Sequence, residues 1–445
     1  MAAVPSRAAN GGATGADRAG RLVIERLRDL PGGSQLLGLV AAREDAELIG
    51  GATRDLLLAR TPRELDVVVE SGAEQLAREL AATLASDGCA AAHAGIQLGS
   101  HARFETAFLT WEGGRVDIAT RRAESYPAPG ALPEVRAGSP EDDLLRRDFT
   151  VNAIAVGLAG DGHGKLRAVS GALADLRARR LRVLHERSFL DDPTRLLRLA
   201  RYRARLEFEP ERRTAQLAAE ALDAGAVGTV SPARIGAELR LALREPDPIA
   251  ALASLAELGV LGALDPSLRF SEVLARAGLA ALPADGRSDL LLLASLLASI
   301  DTGAAGDREG AMTAFLDRLE FTAADRDRAT RAALLGPALI APLAAAQSPS
   351  QLRKAVRGAP LEALALAAAL DQLEPPAPAA RAAREWLEEL RHVRLRITGD
   401  DLLSAGVASG PEVGRRLEAA LDMRLDGKLD DTPGAQLQAA LGEGA

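Results

Sequence analysis

The stretch "AELIGGATRDLLLARTPRELDVVVE", residues 46–70, places a glycine pair, an Arg-Asp couple and two spaced carboxylates within twenty-five residues. "AELIG" (46–50) and "ELDVVVE" (64–70) carry the apolar runs of short strands, and "ATRDLLLAR" between them reads as a helix. A strand that ends in Gly50-Gly51 and turns into a helix leaves backbone N–H groups that an anion can approach closely. Glu64 and Asp66, two apart on the next strand, project from one face. Asp117, in the later strand "RVDIAT" (115–120), is a candidate third carboxylate. Three clustered carboxylates repel one another and make sense around hard cations such as Mg²⁺. Glycine-bound phosphates beside carboxylate-bound metal describe a site for a nucleoside triphosphate.

The surrounding chain sets bounds on that site. At 445 residues it is too long for one core, so about two to four domains are expected. Hydrophobic residues are 47% and charged residues 26%, as in soluble globular proteins, while aromatics are only 3%, so Leu, Ala and Val must fill the cores. The single cysteine, Cys89, excludes an intramolecular disulfide framework and a cysteine zinc cluster. Five scattered histidines with no HExxH and no His-Asp dipeptide speak against a histidine metal site. The longest apolar run, "LLLLASLLASI" (290–300), is too short to span a membrane and reads as a buried helix. The N-terminus lacks the apolar core of a signal peptide, so a cytoplasmic location is the default, and residues 1–20, small, polar and Gly-rich, are expected to be disordered.

Net charge is −8, yet residues 177–213 carry twelve Arg against six Asp and Glu, a local +6 that leaves −14 elsewhere. Such a segment is either a solvated face or a phosphate-binding patch. To about residue 160, short β-rich runs, including "FETAFLTWE" (104–112), alternate with helices such as "AEQLARELAATLAS"; from about 170, Leu/Ala periodicity takes over. The expected fold is α+β, a small head with a mixed β-sheet followed by an all-helical neck, body and tail. "PPAPAA" (375–380) reads as a hinge.

Taken together, "GGATRDLLL…ELD", "VDIATRRAESYPAPGALPEV", "DDLLRRDFTVNAIAV" (142–156), "LDDPTRLLRLARYRARLEFE" (190–209) and "ITGDDLLSAGVASGPEVGRRLEAAL" (397–421) form an ordered series. It resembles the signatures of the class II tRNA nucleotidyltransferases (CCA-adding enzymes) and bacterial poly(A) polymerases. The resemblance runs from about 45 to 265, thins, and returns at 397–435. It implies a nucleotidyltransferase head at 21–170, a helical neck at 171–265 with nucleotide-reading and RNA-binding elements, a helical body at 266–390 and an RNA-binding tail at 391–445.

The same resemblance implies addition of CMP and/or AMP from CTP and ATP to the 3′ end of tRNA or another RNA, without a template, releasing pyrophosphate. Gly50 and Gly51 would hold the triphosphate, with Arg54 and Asp55 bracing their turn. Glu64 and Asp66 would bind two Mg²⁺ ions, with Asp117 joining them or deprotonating the RNA hydroxyl. Arg146, Arg147, Asp148 and Asn152 would hold sugar and phosphates. Asp192 and Arg195, three apart and expected on one helix face, would read the base edge: the carboxylate accepts from the exocyclic amine of cytosine or adenine, and the guanidinium donates. Arg198, Arg201 and Arg205, at three and four spacing, would face triphosphate or RNA.

Three positions depart from the family pattern. Glu64 stands where the family has Asp, Thr53 where it has Val, and Asp191 where it has Glu. Poly(A), CC-only and A-only addition share these motifs. Glu64 alone supports a catalytically weakened RNA-binding protein, and a small-molecule nucleotidyltransferase leaves the helical body without a role.

Overall fold

The computed structural model describes residues 15–43, 45–86, 95–101, 105–302 and 306–442. Cys89, His93 and Phe104, the first residue of the expected strand 104–112, lie outside these. The chain forms two compact units, 1–231 and 232–445.

In the first unit, α1 (Gly15–Arg28) and α2 (Gly33–Val40) precede β1 (Glu47–Ile49), α3 (Gly51–Leu57), β2 (Leu65–Val69), α4 (Ala73–Ser86), β3 (Gln97–His101), β4 (Thr106–Trp111) and β5 (Gly114–Thr120). A hairpin of β6 (Arg122–Ser125) and β7 (Glu134–Ala137) leads to α5 (Pro140–Leu145), β8 (Ile154–Gly157) and β9 (Leu166–Ala168). Helix α1 takes in Gly15–Gly20, the last six residues of the stretch expected to be disordered. Its buried Val23, Ile24 and Leu27 explain this: the apolar stripe anchors the helix on the core.

Seven strands form one sheet in the order β3-β4-β5-β2-β1-β8-β9. Strands β2 and β5 run parallel and the other neighbours antiparallel, which makes the sheet mixed as expected. Alternation along β2 and β5 sends Leu65, Val67, Val69, Val116 and Ile118 into a large core shared with α1, α2, α3 and α4. On the opposite face Ile49, Val68, Leu144, Ala153 and Ala155 form a small cluster. Asp66 and Asp117 therefore fall on the less covered face.

The unit continues through α6 (Ala172–Ala178), β10 (Arg180–Leu181), α7 (Ser188–Asp191), α8 (Thr194–Leu206), β11 (Glu209–Pro210) and α9 (Arg212–Asp223). Strands β10 and β11 pair in parallel.

The second unit contains helices and no strands among its described residues. Its core is built from Leu and Ala, with Leu290–Ala294 and Ala363–Ala369 buried, as the paucity of aromatics requires. Helix Leu361–Gln372 packs on both Ala323–Ala345 and Pro378–Glu388, and the last two also pack on each other. Residues 373–377 thus form a turn between two helices of one packed group, and the hinge expected at 375–380 is not found. Near the C-terminus, Ile397, Leu402, Ala420 and Ala440 make a separate small core. Helix Pro411–Leu425 is fixed to Pro349–Ala355 through Arg353–Asp422 at 2.7 Å and Ser350–Asp426 at 2.9 Å. Among the described residues, no helix is long and apolar enough to cross a membrane.

Candidate active site

The parallel register sets Asp66 of β2 directly opposite Asp117 of β5. Glu64, just before β2, brings its carboxylate to the same place, and one oxygen from each of the three lies within 4.8 Å of the others. The donors are all hard oxygens, so the cluster fits a hard divalent cation. Burial, with the Glu64 and Asp117 charges, raises the Asp66 carboxyl from 3.8 to about 7, against the pull of Arg147 and Arg54. Near neutral pH Asp66 is therefore close to half protonated, and a bound cation would favour its ionised form.

Gly50 sits between β1 and α3 at φ +75°, a conformation that a side chain makes costly. A Cβ there would stand 2.5 Å from Nη1 of Arg147 and 3.4 Å from Oδ2 of Asp66. The glycine thus lets a guanidinium and a metal-type carboxylate meet beside bare backbone. Its own N–H is used by the carbonyl of Ile154 at 3.0 Å, so a phosphate would have to be met by the following turn and by Arg147.

A polar chain ties this turn to the later motifs. Arg54, 1% exposed, donates to Asp55 at 2.8 Å and to Asn152 at 2.5 Å. Asn152 donates to Asp148 at 2.8 Å, and Arg198 reaches the other Asp148 oxygen at 3.5 Å. Burial opposes ionisation of Asp148, yet Arg198, Asn152 and Arg195 hold it below the usual carboxylate range. Tyr202 lies beneath Arg54 at 5.4 Å and edge-on to Phe149 at 5.8 Å. Arg54 and Asp55 are thus a bridge between α3 and the 148–152 segment rather than a surface pair.

Arg146 and Arg147 share one anchor. Buried Asp143 accepts from Arg146 at 2.8 Å and from Arg147 at 3.1 Å, and Arg146 also donates to Glu124 at 3.0 Å. Asp143, Glu124, Tyr126 and Tyr202 were missed in the sequence. The Asp143–Arg146/Arg147 spacing of three and four is a helical signal; the other contacts are long-range.

Asp192 and Arg195 differ from expectation. Pro193 ends α7 and starts α8, so Asp192 precedes the helix that carries Arg195 instead of sharing its face. Asp192 accepts from the Thr194 hydroxyl at 2.6 Å and its N–H at 3.1 Å, which caps the start of α8. Arg195 donates to Ser188 at 2.6 Å and to the Arg146 carbonyl at 2.9 Å, with its guanidinium 5.9 Å from the Tyr126 ring centroid. Both are buried, at 6% and 2% exposure, so they are not an ordinary surface pair.

The +6 segment does not form one basic face. Arg195 and Arg201 are buried, while Arg182, Arg187, Arg203 and Arg213 pair with acids. Arg179, Arg180 and Arg212 line a cavity of about 530 Å³ together with Glu207, Glu209 and Glu211. Arg205 lies 5.7 Å from the Tyr202 ring.

A strand-borne carboxylate cluster beside a glycine turn and a buried guanidinium is suited to holding a divalent cation next to a phosphate group. Residues 46–182 match the poly(A) polymerase head domain. A CC-adding tRNA nucleotidyltransferase of Deinococcus radiodurans is 44% identical over 228 residues, 51% of this chain and 57% of that protein. An A-adding tRNA nucleotidyltransferase of Geobacter sulfurreducens is 39% identical over 221 residues, 49% of this chain and 24% of that protein. The chain thus spans from about a quarter to just over half the length of these curated relatives. Among solved structures, an apo CCA-adding enzyme aligns with TM-score 0.73 at 26% identity, covering 94% of this chain and 95% of that one. The Thermotoga maritima CCA-adding enzyme complexed with tRNA aligns with TM-score 0.71 at 26% identity, covering 95% and 98%. The chain is thus similar to tRNA nucleotidyltransferases through its poly(A) polymerase-type head domain and to CCA-adding enzymes over nearly its whole length.

Proposed function

We propose that this protein is a template-independent RNA nucleotidyltransferase that adds CMP, AMP or both to tRNA 3′ ends with Mg²⁺, releasing pyrophosphate. The observation that carries this reading is the opposition of Asp66 and Asp117 beside Gly50 and Arg147. Mg²⁺ held by Glu64 and Asp66, with Asp117 alongside, would supply Lewis-acid activation of the RNA hydroxyl and neutralise the leaving pyrophosphate. Arg147 meets the triphosphate beside the Gly50-Gly51 turn, which the Arg54–Asp55 couple braces. Arg146 is held by Asp143 and Glu124 and presents its carbonyl to Arg195. Ionised Asp148, with Asn152, remains an acceptor for a ribose hydroxyl.

Asp192 and Arg195 read the base by hydrogen-bond polarity, with Arg198 and Arg201 behind them on α8. The helical neck, body and tail of the sequence reading carry the RNA. A cytoplasmic location fits such an enzyme. Glu64 keeps its carboxylate in the cluster despite its extra methylene, which favours an active enzyme over a weakened RNA-binding protein.

Curated relatives with CC-adding and A-adding names match at similar identity, so this reading leaves the added sequence to experiment. The test is to incubate the protein with Mg²⁺, CTP or ATP, and tRNA ending before CCA or before its final A. Extension of either tRNA by one to three residues supports the reading, and a long A tract marks a poly(A) polymerase. No extension of any substrate overturns it.

A further inference from the structure

Arg115, which the motifs leave without a role, lies at the mouth of the carboxylate cluster. Its Nε donates to one oxygen of Asp117 at 3.0 Å and its Nη2 to the other at 3.1 Å. The same Nε lies 3.4 Å from Glu64. The guanidinium is 5.1 Å from the ring centroid of Phe108, the β4 residue paired with Asp117. One monovalent cation therefore engages two of the three carboxylates, and its fork takes both oxygens of Asp117. Glu64 makes this approach with a side chain one methylene longer than that of aspartate.

We propose that Arg115 is a built-in counter-cation: in the metal-free protein it offsets one of the two charges of Glu64 and Asp117, and it must release Asp117 before that carboxylate can ligate a divalent cation. This inference rests on the metal reading of the cluster. A ligand oxygen cannot serve a guanidinium at about 3 Å and a metal at about 2.1 Å in the same direction, so the two compete. The side-chain exposures of Arg115, Glu64 and Asp117 are 42%, 47% and 33%. At that exposure the ion pair is weak, and the flexible arginine has solvent to swing into. The guanidinium then lowers metal affinity without abolishing it. It also holds the like charges of Glu64 and Asp117 in place, so that the site is formed before the metal arrives.

The test uses Mn²⁺ as the probe, with free Mn²⁺ measured by electron paramagnetic resonance in titrations of the full chain. Arg115→Ala should bind Mn²⁺ about three- to tenfold more tightly than wild type, because no fork has to be displaced. Arg115→Lys keeps the charge but loses the fork, and should also bind more tightly, by a smaller factor. Unchanged or weaker binding by Arg115→Ala overturns the inference. So does tightening in Arg115→Ala with Arg115→Lys equal to wild type, since through-space charge alone would then be at work. Asp66→Asn separates the two levels of argument. If it binds Mn²⁺ as wild type does, the cation is not at this cluster and the metal reading falls together with the inference. If it loses binding while Arg115→Ala fails to tighten, only the role of Arg115 falls.

Discussion

The two faces of the head sheet are built from the same strands and do opposite work. One buries Leu48, Val67, Val69, Leu109, Val116 and Ile118 against α1, α2, α3 and α4. The other has five buried apolar residues in its cluster and carries Asp66 and Asp117. Because side chains alternate, burial of the first face fixes the register that aligns the carboxylates on the second. A one-residue slip of β2 would turn Asp66 toward the apolar core and Val67 toward the site. The apolar face thus sets the geometry of the polar one, and each can be damaged while the other is watched.

The largest effect is expected on the polar face. Asp66→Ala should abolish nucleotide incorporation while leaving the fold intact, read by primer-extension gels beside circular dichroism. Near wild-type extension would end the proposed role of the cluster. The same residue gives a pH signature in the metal-free protein. With its carboxyl raised from 3.8 to about 7, folded Asp66 holds a proton that the unfolded chain has released between those values. The unfolded state then binds fewer protons, so stability contributed by Asp66 falls as pH rises from about 4 to 7. Thermal midpoints measured in EDTA should therefore decline over that range more in wild type than in Asp66→Asn. Equal slopes would mean that Asp66 titrates normally.

The matching change on the apolar face is Leu109→Ala. Leu109 is fully buried in the large core, and truncation should cost about 2–5 kcal/mol in urea unfolding. Protein that remains folded should still extend RNA. Loss of activity well below the unfolding midpoint would show that the two faces are less separable than the alternation implies.

Next comes the pair proposed to read the base. Because Asp192 caps α8 through Thr194, Asp192→Ala mixes a lost cap with a lost base contact. Asp192→Asn keeps an oxygen for the cap and replaces the other with a donor. Discrimination of CTP against UTP should relax by about 1–3 kcal/mol, roughly tenfold to a hundredfold, in single-nucleotide incorporation. Retained preference would assign base reading to other residues and leave Asp192 as a cap.

What could be read from the sequence follows the range of the interactions involved. Strand–helix–strand at 47–69 and helix Ala73–Ser86 were legible because periodicity and a glycine turn are local signals. The meeting of Glu64, Asp66 and Asp117 was legible because alternation fixes a face and the motif order supplies the neighbouring strand. The split of Asp192 from Arg195 was missed although Pro193 announces it, since a spacing of three was read as one continuous helix. Arg54–Asn152 and Arg195–Arg146 span 98 and 49 residues, and no periodicity reports such pairs. The charge count of 177–213 could not tell a solvated face from a phosphate-binding patch, because the partners that its arginines take in buried contacts, ion pairs and a groove shared with glutamates are set by the fold.

The smallest expected effect lies in α3, where Thr53 stands beside Arg54 and is fully buried. Its hydroxyl has no hydrogen-bond partner among the described residues. A buried, unpaired hydroxyl costs about 1–3 kcal/mol, because it gives up water without replacement. Valine has nearly the same shape and removes the polar atom, so Thr53→Val should fill the same space and stabilise the protein by about 1 kcal/mol. The check is a rise in the urea midpoint with an unchanged slope, which assigns the gain to stability rather than to a change in the denatured state. A fall in the midpoint would mean that the hydroxyl satisfies a group on the site side of α3, and Thr53 would then belong with the polar face.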